Sequence, residues 1–412
     1  MSDEPRQALI APVTFTALDE ERKEAAREGM ALCLSGGGYR AMLFHLGALW
    51  RLNECGYLPQ LKRISSVSGG SIIAGVLGLR WPVLGFDARG VARHFDRQVV
   101  APIRTLASVT IDQWAIGIGL VTPGVSIDDR VVASYRKYLF GSKTLQDLPS
   151  EGDGTPRFVF NATNVQSGAL WRFSKPYMAD WRVGRVTAPT TELAAVVAAS
   201  SAFPPFLSPA HLSLEPGECV KNPGDTGAGD DLCTPPYTTE VVLTDGGVYD
   251  NLGLETAWKN YTAILVSDGG GKMAPDPHPP ADWVRHSKRV LDLIDNQVRS
   301  LRKRQLIESY RLPAGHALHR SGTYWGIRSD VGDYDLPPIP DYPFTPGTFP
   351  HDATLRLANL PTRLKAVDAE TQEQLINWGF AICDVAMRKH VDATLPMPRL
   401  PYATRGVGSR HA

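Results

Sequence analysis

A serine within a run of small residues is the first candidate for chemistry in this sequence. Ser68 lies in the run SSVSGGS, which follows an apolar stretch and precedes a second apolar segment with helical character. A nucleophilic serine is exposed at a sharp strand-to-helix turn, which requires small residues two places to either side, as in Gly-x-Ser-x-Gly. Gly70 satisfies the second position, and Ser66, which is small enough to fit, replaces the first glycine. The run therefore predicts a nucleophile at Ser68, and the alternative is a helix amino terminus that Ser66 or Ser68 caps.

Three consecutive glycines form a candidate site for developing negative charge. Gly36, Gly37 and Gly38 stand between a predicted strand and a predicted helix in LSGGGYRA. Their backbone N–H groups would lie at the positive end of that helix, where anions bind. Together with the N–H group of Gly69, they could stabilise the oxyanion that forms when a serine attacks a carbonyl. Arg40 either adds positive charge to this loop or orders it.

The same glycines match part of a dinucleotide-binding pattern. Gly36, Gly38 and Ala41 fit Gly-x-Gly-x-x-Gly/Ala, but that pattern also needs an acidic residue at the end of the second strand to bind the ribose. The second predicted strand, LKRISSV, has no acidic residue and ends in the serine turn. An oxidoreductase that binds a dinucleotide is therefore the weaker interpretation.

A serine hydroxyl needs a base, and the run VVLTDGGVYDNLG offers one. Asp245 ends a predicted strand, and sites in open α/β folds gather at the carboxyl ends of the strands. A carboxylate in a dry site can accept the serine proton directly. Asp-Gly-Gly is also a common turn signal, and Asp250 and Asn251 are either supporting hydrogen-bond partners or part of a further turn. Among the histidines, His45 is expected to pack within its helix, and none has a context that demands catalysis.

These residues must be held by strands and helices, and the sequence alternates the two. The run MALCLSGGG reads as a strand that enters a glycine turn, and a helix with a periodic apolar stripe follows it. A second strand, the serine turn and a second helix come next. This order predicts a parallel sheet between layers of helices. No clean linker interrupts the chain, so we expect one domain with insertions.

Composition restricts the partners of this 412-residue chain. The 43 basic residues balance 43 acidic ones, which gives no reason to expect nucleic acid as a partner. The amino-terminal run MSDEPRQALIAPVTF lacks the basic and apolar regions of a secretory signal. The longest apolar run, residues 71–86, is interrupted by Arg80 and Pro82 and is too short to span a bilayer. A cytoplasmic location is the resulting expectation.

The cysteines and possible metal ligands point to no bound metal. The five cysteines are expected to be reduced, and Cys219 and Cys233, which bracket a polar loop, are the one pair that could form a disulfide under oxidising conditions. His316 and His319 have a spacing that suits a metal but no matching carboxylate cluster. A loop with three aspartates could bind calcium only loosely; its members are Asp225, Asp230 and Asp231. We therefore predict neither a metal nor a cofactor.

Four runs, in this order, resemble the patatin-like phospholipase family: LSGGGYRAMLFHLGAL, SSVSGGS, AASSAFPPFLSP and LTDGGVYDNLG. The resemblance implies a three-layer α/β/α fold with a mainly parallel central sheet. It also implies a dyad in which Ser68 is the nucleophile and Asp245 its base, with Gly36, Gly37, Gly38 and Arg40 as the oxyanion loop. The implied activity is hydrolysis of phospholipid or lysophospholipid through an acyl-enzyme, and a catalytically silent lipid-binding scaffold is the alternative.

The resemblance also suggests how the chain is organised. It predicts a single catalytic domain over residues 1–412, with a core at 30–270 and a helical carboxyl-terminal extension at 271–412. Any membrane contact would be peripheral. The apolar run at 114–125 is either a lid or acyl-chain wall, or a core segment. A basic helix at 285–304 either lies on anionic headgroups or, as we favour, packs its apolar positions on the body of the protein.

Overall fold

The computed structural model describes residues 26–111, 127–204, 207–223 and 229–408. The apolar run at 114–125 lies outside these residues. Within the described part, eleven strands form one sheet. The strands are β1 Arg27–Leu34, β2 Leu61–Ser66, β3 Arg157–Asn164, β4 Leu170–Phe173, β5 Tyr177–Asp180, β6 Gly184–Thr187, β7 Ala210–Ser213, β8 Cys219–Val220, β9 Glu240–Asp245, β10 Tyr261–Asp268 and β11 Ser321–Gly326.

Ten α-helices accompany the sheet in the described residues. They are α1 Gly38–Glu54, α2 Gly69–Arg80, α3 Ala101–Ala107, α4 Ile127–Tyr135, α5 Leu193–Ser200, α6 Gly247–Asp250, α7 Glu255–Trp258, α8 Trp283–Arg311, α9 His351–Ala358 and α10 Ala369–His390. Short 3-10 segments occur at Leu58–Gln60, Trp81–Val83, Leu145–Asp147 and Gly332–Tyr334, and π-helical turns occur at Asp96–Val100 and Arg136–Phe140. The predicted alternation of strands and helices is therefore present from β1 to α2.

The sheet has a parallel centre and an antiparallel flank. Strands β11, β10, β1, β2 and β3 pair in that order, and every pair is parallel. Strands β4, β5, β6 and β8 continue it as an antiparallel meander. Successive side chains of a strand point to opposite faces, and β1 shows this because Leu32 and Leu34 join the larger core while Ala31 and Cys33 join a smaller one. The fold is thus three-layered, α/β/α.

Strands β2 and β9 meet end to end along one edge of β3. Ser66, the last residue of β2, pairs with Phe160, and Asp245, the last residue of β9, pairs with Ala162. Because β2 runs parallel to β3 and β9 runs antiparallel to it, their carboxyl ends point toward each other. This arrangement brings two segments that are far apart in sequence to the same place in the sheet.

The segment beyond residue 270 contributes more than helices. We predicted a helical extension, but Ser321–Gly326 forms β11 and pairs with β10 in parallel from Ala263 to Asp268. Helix α10 packs along α1, which places it against the large core. The strand was missed because proline-rich sequence surrounds it and hides its short apolar pattern.

Helix α8 differs from its predicted packing. We favoured apolar positions buried on the body, but only Leu306 and Ser309 are buried along this helix. The exposed large hydrophobic residues include Val290, Leu291, Leu293, Ile294 and Leu301. The favoured interpretation is therefore wrong for these side chains, and only the carboxyl-terminal part of α8 joins the smaller core.

The described residues include all five cysteines and most of the candidate metal ligands. All five cysteines are free thiols, so Cys219 and Cys233 are not bonded to each other. In the described ranges, no three histidine, cysteine, aspartate or glutamate side chains group as a metal site. Asp231 pairs instead with Arg182 at 2.6 Å, and Asp225 lies outside the described residues. Within the same ranges, no helix has the length and apolar character needed to cross a membrane.

Candidate active site

Ser68 occupies a strained turn between β2 and α2. Its backbone has φ 52° and ψ −119°, a left-handed conformation that a residue with a side chain rarely adopts. A strained turn of this kind is what the nucleophile-elbow pattern predicts, because it carries the serine side chain away from both the strand and the helix. Only 7% of the residue is exposed, so the hydroxyl lies in an almost dry site.

The small residues around Ser68 allow the strand and the helix to cross closely. A methyl group on Gly70 would lie 2.4 Å from the carbonyl oxygen of Leu34 in β1, a distance that real structures do not show. Ser66 fits in place of the usual glycine because its hydroxyl donates to the Val159 carbonyl at 3.2 Å and accepts from Ser71 at 3.0 Å. These two hydrogen bonds therefore accommodate a serine where the Gly-x-Ser-x-Gly pattern has its first glycine.

The side chains of Ser68 and Asp245 meet at the junction of β2 and β9. The Asp245 carboxylate interacts with the Ser68 hydroxyl and accepts a hydrogen bond from the Gly247 N–H at 2.7 Å. Asp245 is 2% exposed. A serine hydroxyl and a buried carboxylate in contact are the two groups that direct proton transfer from the nucleophile requires.

The environment of Asp245 makes its carboxylate more basic. Burial raises the pKa of Asp245 to about 7, because water no longer stabilises the charged form. The hydrogen bonds from Gly247 and Ser68 oppose this rise, and the nearby negative charge of Asp295 adds to it. A base with a pKa near neutrality combines useful basicity with a large ionised fraction at physiological pH.

Three free backbone amides lie beside Ser68 and Asp245. Among the described residues, none accepts a hydrogen bond from the N–H groups of Gly37, Gly38 or Gly69. The two loops touch, since a methyl group on Gly69 would lie 2.2 Å from the Gly38 carbonyl oxygen. Gly36 differs, because its N–H donates to the Asn251 carbonyl at 3.0 Å. Gly36 therefore lines the site beside Ser68 and is not a free donor.

The sequence that forms this site matches a known protein family. A family model described as patatin-like phospholipase matches residues 32–258, which is more than half of the chain. The chain belongs to the patatin-like phospholipase family. The match contains the glycine loop, the serine turn and Asp245, and membership supports a lipid acyl hydrolase as the class of activity.

Individual proteins resemble this patatin-like chain only distantly. No curated protein sequence matches it. Human GIVD cytosolic phospholipase A2 is similar in structure, with 13% identity over 88% of this chain and 59% of that chain and a TM-score of 0.48. VipD from Legionella pneumophila gives 18% identity, coverage of 81% and 67%, and a TM-score of 0.31. The patatin-like chain thus spans about three fifths of the length of the human protein.

Arg40 of this patatin-like protein orders the glycine loop rather than facing open space. Its guanidinium donates to the carbonyl of Gly269 at 3.2 Å, to the carbonyl of Leu360 and to the hydroxyl of Thr362 at 2.9 Å. The carbonyl of Arg363 accepts from the Tyr39 N–H at 3.0 Å. These bonds fasten residues 360–364, which we call the strap, over the start of α1. Of the two roles considered for Arg40, the contacts favour ordering of the loop.

Replacement of Arg40 should loosen the contact between the strap and the start of α1. We expect Arg40→Met to slow phosphonylation of Ser68 by a serine-reactive fluorophosphonate about 10- to 100-fold, because the glycine loop would lose its fixed position relative to Ser68. Arg40→Lys should recover part of the rate, since it keeps the charge and one bond. The rate of labelling measures both effects, with exposed Arg97→Met as the control. An unchanged labelling rate in Arg40→Met would contradict a positioning role.

Two residues at the site were missed by the sequence analysis. Ser200, at the end of α5, accepts a hydrogen bond from the Ser68 N–H at 3.1 Å and donates to the Asn161 carbonyl at 2.7 Å. Its carbonyl accepts from the N–H groups of Ser68 and Gly246, so Ser200 joins the segments that carry Ser68 and Asp245. The run AASSAFPP marked this segment, but no sequence pattern distinguishes Ser200 from Ser201. Only the packing of α5 in the folded protein shows that Ser200 is the serine that bonds the Ser68 N–H group.

Asn251 also lies closer to the site than its position in the sequence suggested. Methyl groups on Gly36 and Gly247 would lie 2.3 Å and 2.7 Å from its Oδ1 atom. The amide is partly exposed, and within the described chain its side chain has no hydrogen-bond partner. Asp250, in contrast, is structural, since it accepts from the Glu255 N–H at 2.6 Å and lies 3.6 Å from Arg302.

His45 packs within α1, as expected, and its ring nitrogens contact neither Ser68 nor Asp245. Its ring nitrogens contact the Ser267 hydroxyl at 2.8 Å and the Ser35 carbonyl at 2.9 Å. Burial lowers the pKa of His45 to about 4, so the ring is neutral at physiological pH. The imidazole therefore connects the residue after β1, which leads into the glycine loop, to β10.

Proposed function

We propose that this protein is a serine acyl hydrolase that cleaves phospholipid or lysophospholipid with a Ser68–Asp245 dyad. The observation that carries the proposal is the contact between a strained serine and a buried carboxylate of raised pKa, beside three free amides. Family membership supports the lipid substrate class. No cofactor enters the reaction, and membrane contact is peripheral.

The first half of the reaction forms an acyl-enzyme. The Ser68 oxygen attacks the ester carbonyl while the Asp245 carboxylate accepts the hydroxyl proton. The N–H groups of Gly37, Gly38 and Gly69 stabilise the oxyanion, which carries more charge than the ground-state carbonyl. Collapse of the tetrahedral intermediate releases the alcohol, which takes the proton from Asp245. The acyl group remains on Ser68.

The second half repeats the proton transfer with water. Asp245 accepts a proton from a water molecule that attacks the acyl-enzyme carbonyl, and the same amides hold the second oxyanion. The fatty acid leaves as Ser68 regains its proton. We further infer that the described residues act as one catalytic unit, because β11 and α10 pack against the strands and helix that carry the site.

A fluorophosphonate probe tests this proposal against a silent lipid-binding scaffold. The probe phosphonylates activated serines, so the wild-type protein should be labelled and Ser68→Ala should lose labelling at least about 10³-fold. Ser71→Ala is the matched control, since Ser71 is fully buried and its hydroxyl bonds Ser66 and Ser200. Failure of the wild-type protein to react at any serine would favour the scaffold. Mass spectrometry of products from mixed lipids then identifies the substrate.

A further inference from the structure

Helix α8 carries an exposed apolar stripe. We define the stripe as Trp283, Val290, Leu291, Ile294 and Leu301, whose spacings of three, four and seven residues place them on one side of a helix. Trp283 is 80% exposed, and the other four are between 41% and 57% exposed. From the first to the last residue the stripe extends about 27 Å. None of the described residues covers it.

Basic residues accompany the stripe. Between Asp282 and Arg304 the sequence has seven basic and three acidic residues. Those that face the body are partly neutralised, as Arg302 shows by pairing with Glu255 at 2.7 Å. Arg289 directly precedes Val290, and Arg304 lies three residues after Leu301. Neither forms an ion pair within the described residues, although Arg289 donates a hydrogen bond to the Ala274 carbonyl at 3.2 Å. Exposed Glu308 lies beyond the carboxyl end of the stripe, and the charges without an ion-pair partner beside the stripe itself are the positive ones of Arg289 and Arg304.

The stripe lies on a helix that borders the active site. The charge of Asp295, on α8, acts on the Asp245 carboxylate. A methyl group on Gly270, in the loop after β10, would lie 2.4 Å from the Arg299 guanidinium. Helix α6, which follows Asp245 directly, contacts α8 and exposes Val248 at 46%. Val248 thus adds an exposed apolar side chain on the helix that lies between Asp245 and α8.

We propose that the stripe of α8 docks this protein onto a bilayer that contains anionic phospholipids. This inference rests on the proposed function, since docking would bring the dyad to its lipid substrate. The helix combines low overall hydropathy, exposed apolar side chains along one side and adjacent arginines, which characterises helices that lie in the membrane interface. Arg289 and Arg304 supply attraction to negative headgroups, and the apolar side chains enter the acyl region.

Charge complementarity selects an anionic bilayer over a second copy of the chain. A twofold dimer through the stripe would place the same arginines near one another, because such an interface joins identical patches. Like charges in that arrangement repel. An anionic surface instead meets the same arginines with opposite charge.

Vesicle co-sedimentation tests the proposal without hydrolysis of the lipid. Ser68→Ala protein is mixed with vesicles of phosphatidylcholine alone or of phosphatidylcholine with phosphatidylglycerol. We expect binding to the second kind, weakened by salt. Ile294→Asp with Leu301→Asp should reduce binding at least tenfold, and Arg289→Gln with Arg304→Gln about fivefold for each charge removed. The matched control is Val83→Asp with Val220→Asp, two similarly exposed valines elsewhere on the surface, which should bind as the parent does.

A tryptophan readout shows whether α8 itself enters the bilayer. Lipids with brominated acyl chains quench nearby tryptophans, and the quenching should decrease in Trp283→Phe. Equal binding by the stripe variant, binding that ignores phosphatidylglycerol, or no binding at all would overturn the proposal. A stable dimer by light scattering that dissociates in the stripe variant would also overturn it, by assigning the stripe to a second copy. Fluorophosphonate labelling of Ser68 in solution is measured separately, so each proposal can fail alone.

Discussion

Asp245→Asn should reduce hydrolysis about 10³-fold or more while leaving the fold intact. Asparagine has the shape of aspartate and can still accept the Gly247 hydrogen bond, but it cannot take the Ser68 proton. In the wild-type protein, activity should rise with pH to a plateau, with a midpoint near the Asp245 pKa of about 7, because the ionised carboxylate is the active form. Steady-state hydrolysis across pH measures both effects.

The control for this variant is Asp96→Asn, which alters an exposed aspartate and should keep wild-type activity and pH dependence. Activity that falls at acid pH with a midpoint near 4 would show that burial does not raise the pKa of the base. Retention of activity by Asp245→Asn would remove Asp245 from the mechanism.

The same substitution should stabilise the protein above neutral pH. Burial raises the pKa of Asp245 from 3.8 to about 7, so the folded state binds this proton more tightly than the unfolded state does. The stabilisation that the bound proton provides is present at low pH and is lost as pH rises toward about 7. Asp245→Asn removes the buried charge and should raise the free energy of unfolding near pH 8 by about 2–4 kcal/mol.

Urea unfolding at about pH 5 and about pH 8 measures this difference. We expect the free energies of unfolding of the wild-type protein and Asp245→Asn to differ more at the higher pH. A difference that is the same at both values would show that burial of the charge is not its cause.

Gly379→Ala is expected to be among the most destabilising single substitutions. Helices α1 and α10 cross where a methyl group on Gly379 would lie 1.8 Å from the Phe44 carbonyl oxygen, and one on Gly47 would lie 1.9 Å from that of Ile376. The neighbouring atoms belong to the backbone, so the helices must separate. We expect a loss of about 3 kcal/mol in the free energy of unfolding, measured by denaturant titration.

Gly152→Ala is the control, because no atom lies within 4 Å of the added methyl group. Gly47→Ala should resemble Gly379→Ala, and the double variant should lose less than the sum, since the first substitution already separates the helices. Additive losses, or stability like that of Gly152→Ala, would contradict this account of the crossing. Activity should fall with stability because α1 begins at the glycine loop.

The family and the α/β/α fold were predicted from short local patterns, and both predictions are confirmed. A sharp strand-to-helix turn restricts which residues can occupy it, so the requirement at Gly70 is visible in the sequence. Asp245 and the glycine loop were found for the same reason, since each lies in a turn whose chemistry is local. Their assigned roles stay predictions until the variants are measured.

What the sequence determined by itself is therefore the local conformation at each turn. The tertiary structure decided which groups remain free, because hydrogen bonds and burial depend on partners far away in the chain. The Gly36 N–H is taken by Asn251, Ser200 holds the Ser68 amide, and apolar residues of α8 that a helical pattern would place in the core face outward. A periodic pattern gives the side of a helix on which residues lie, but only packing decides whether that side meets the protein or its surroundings.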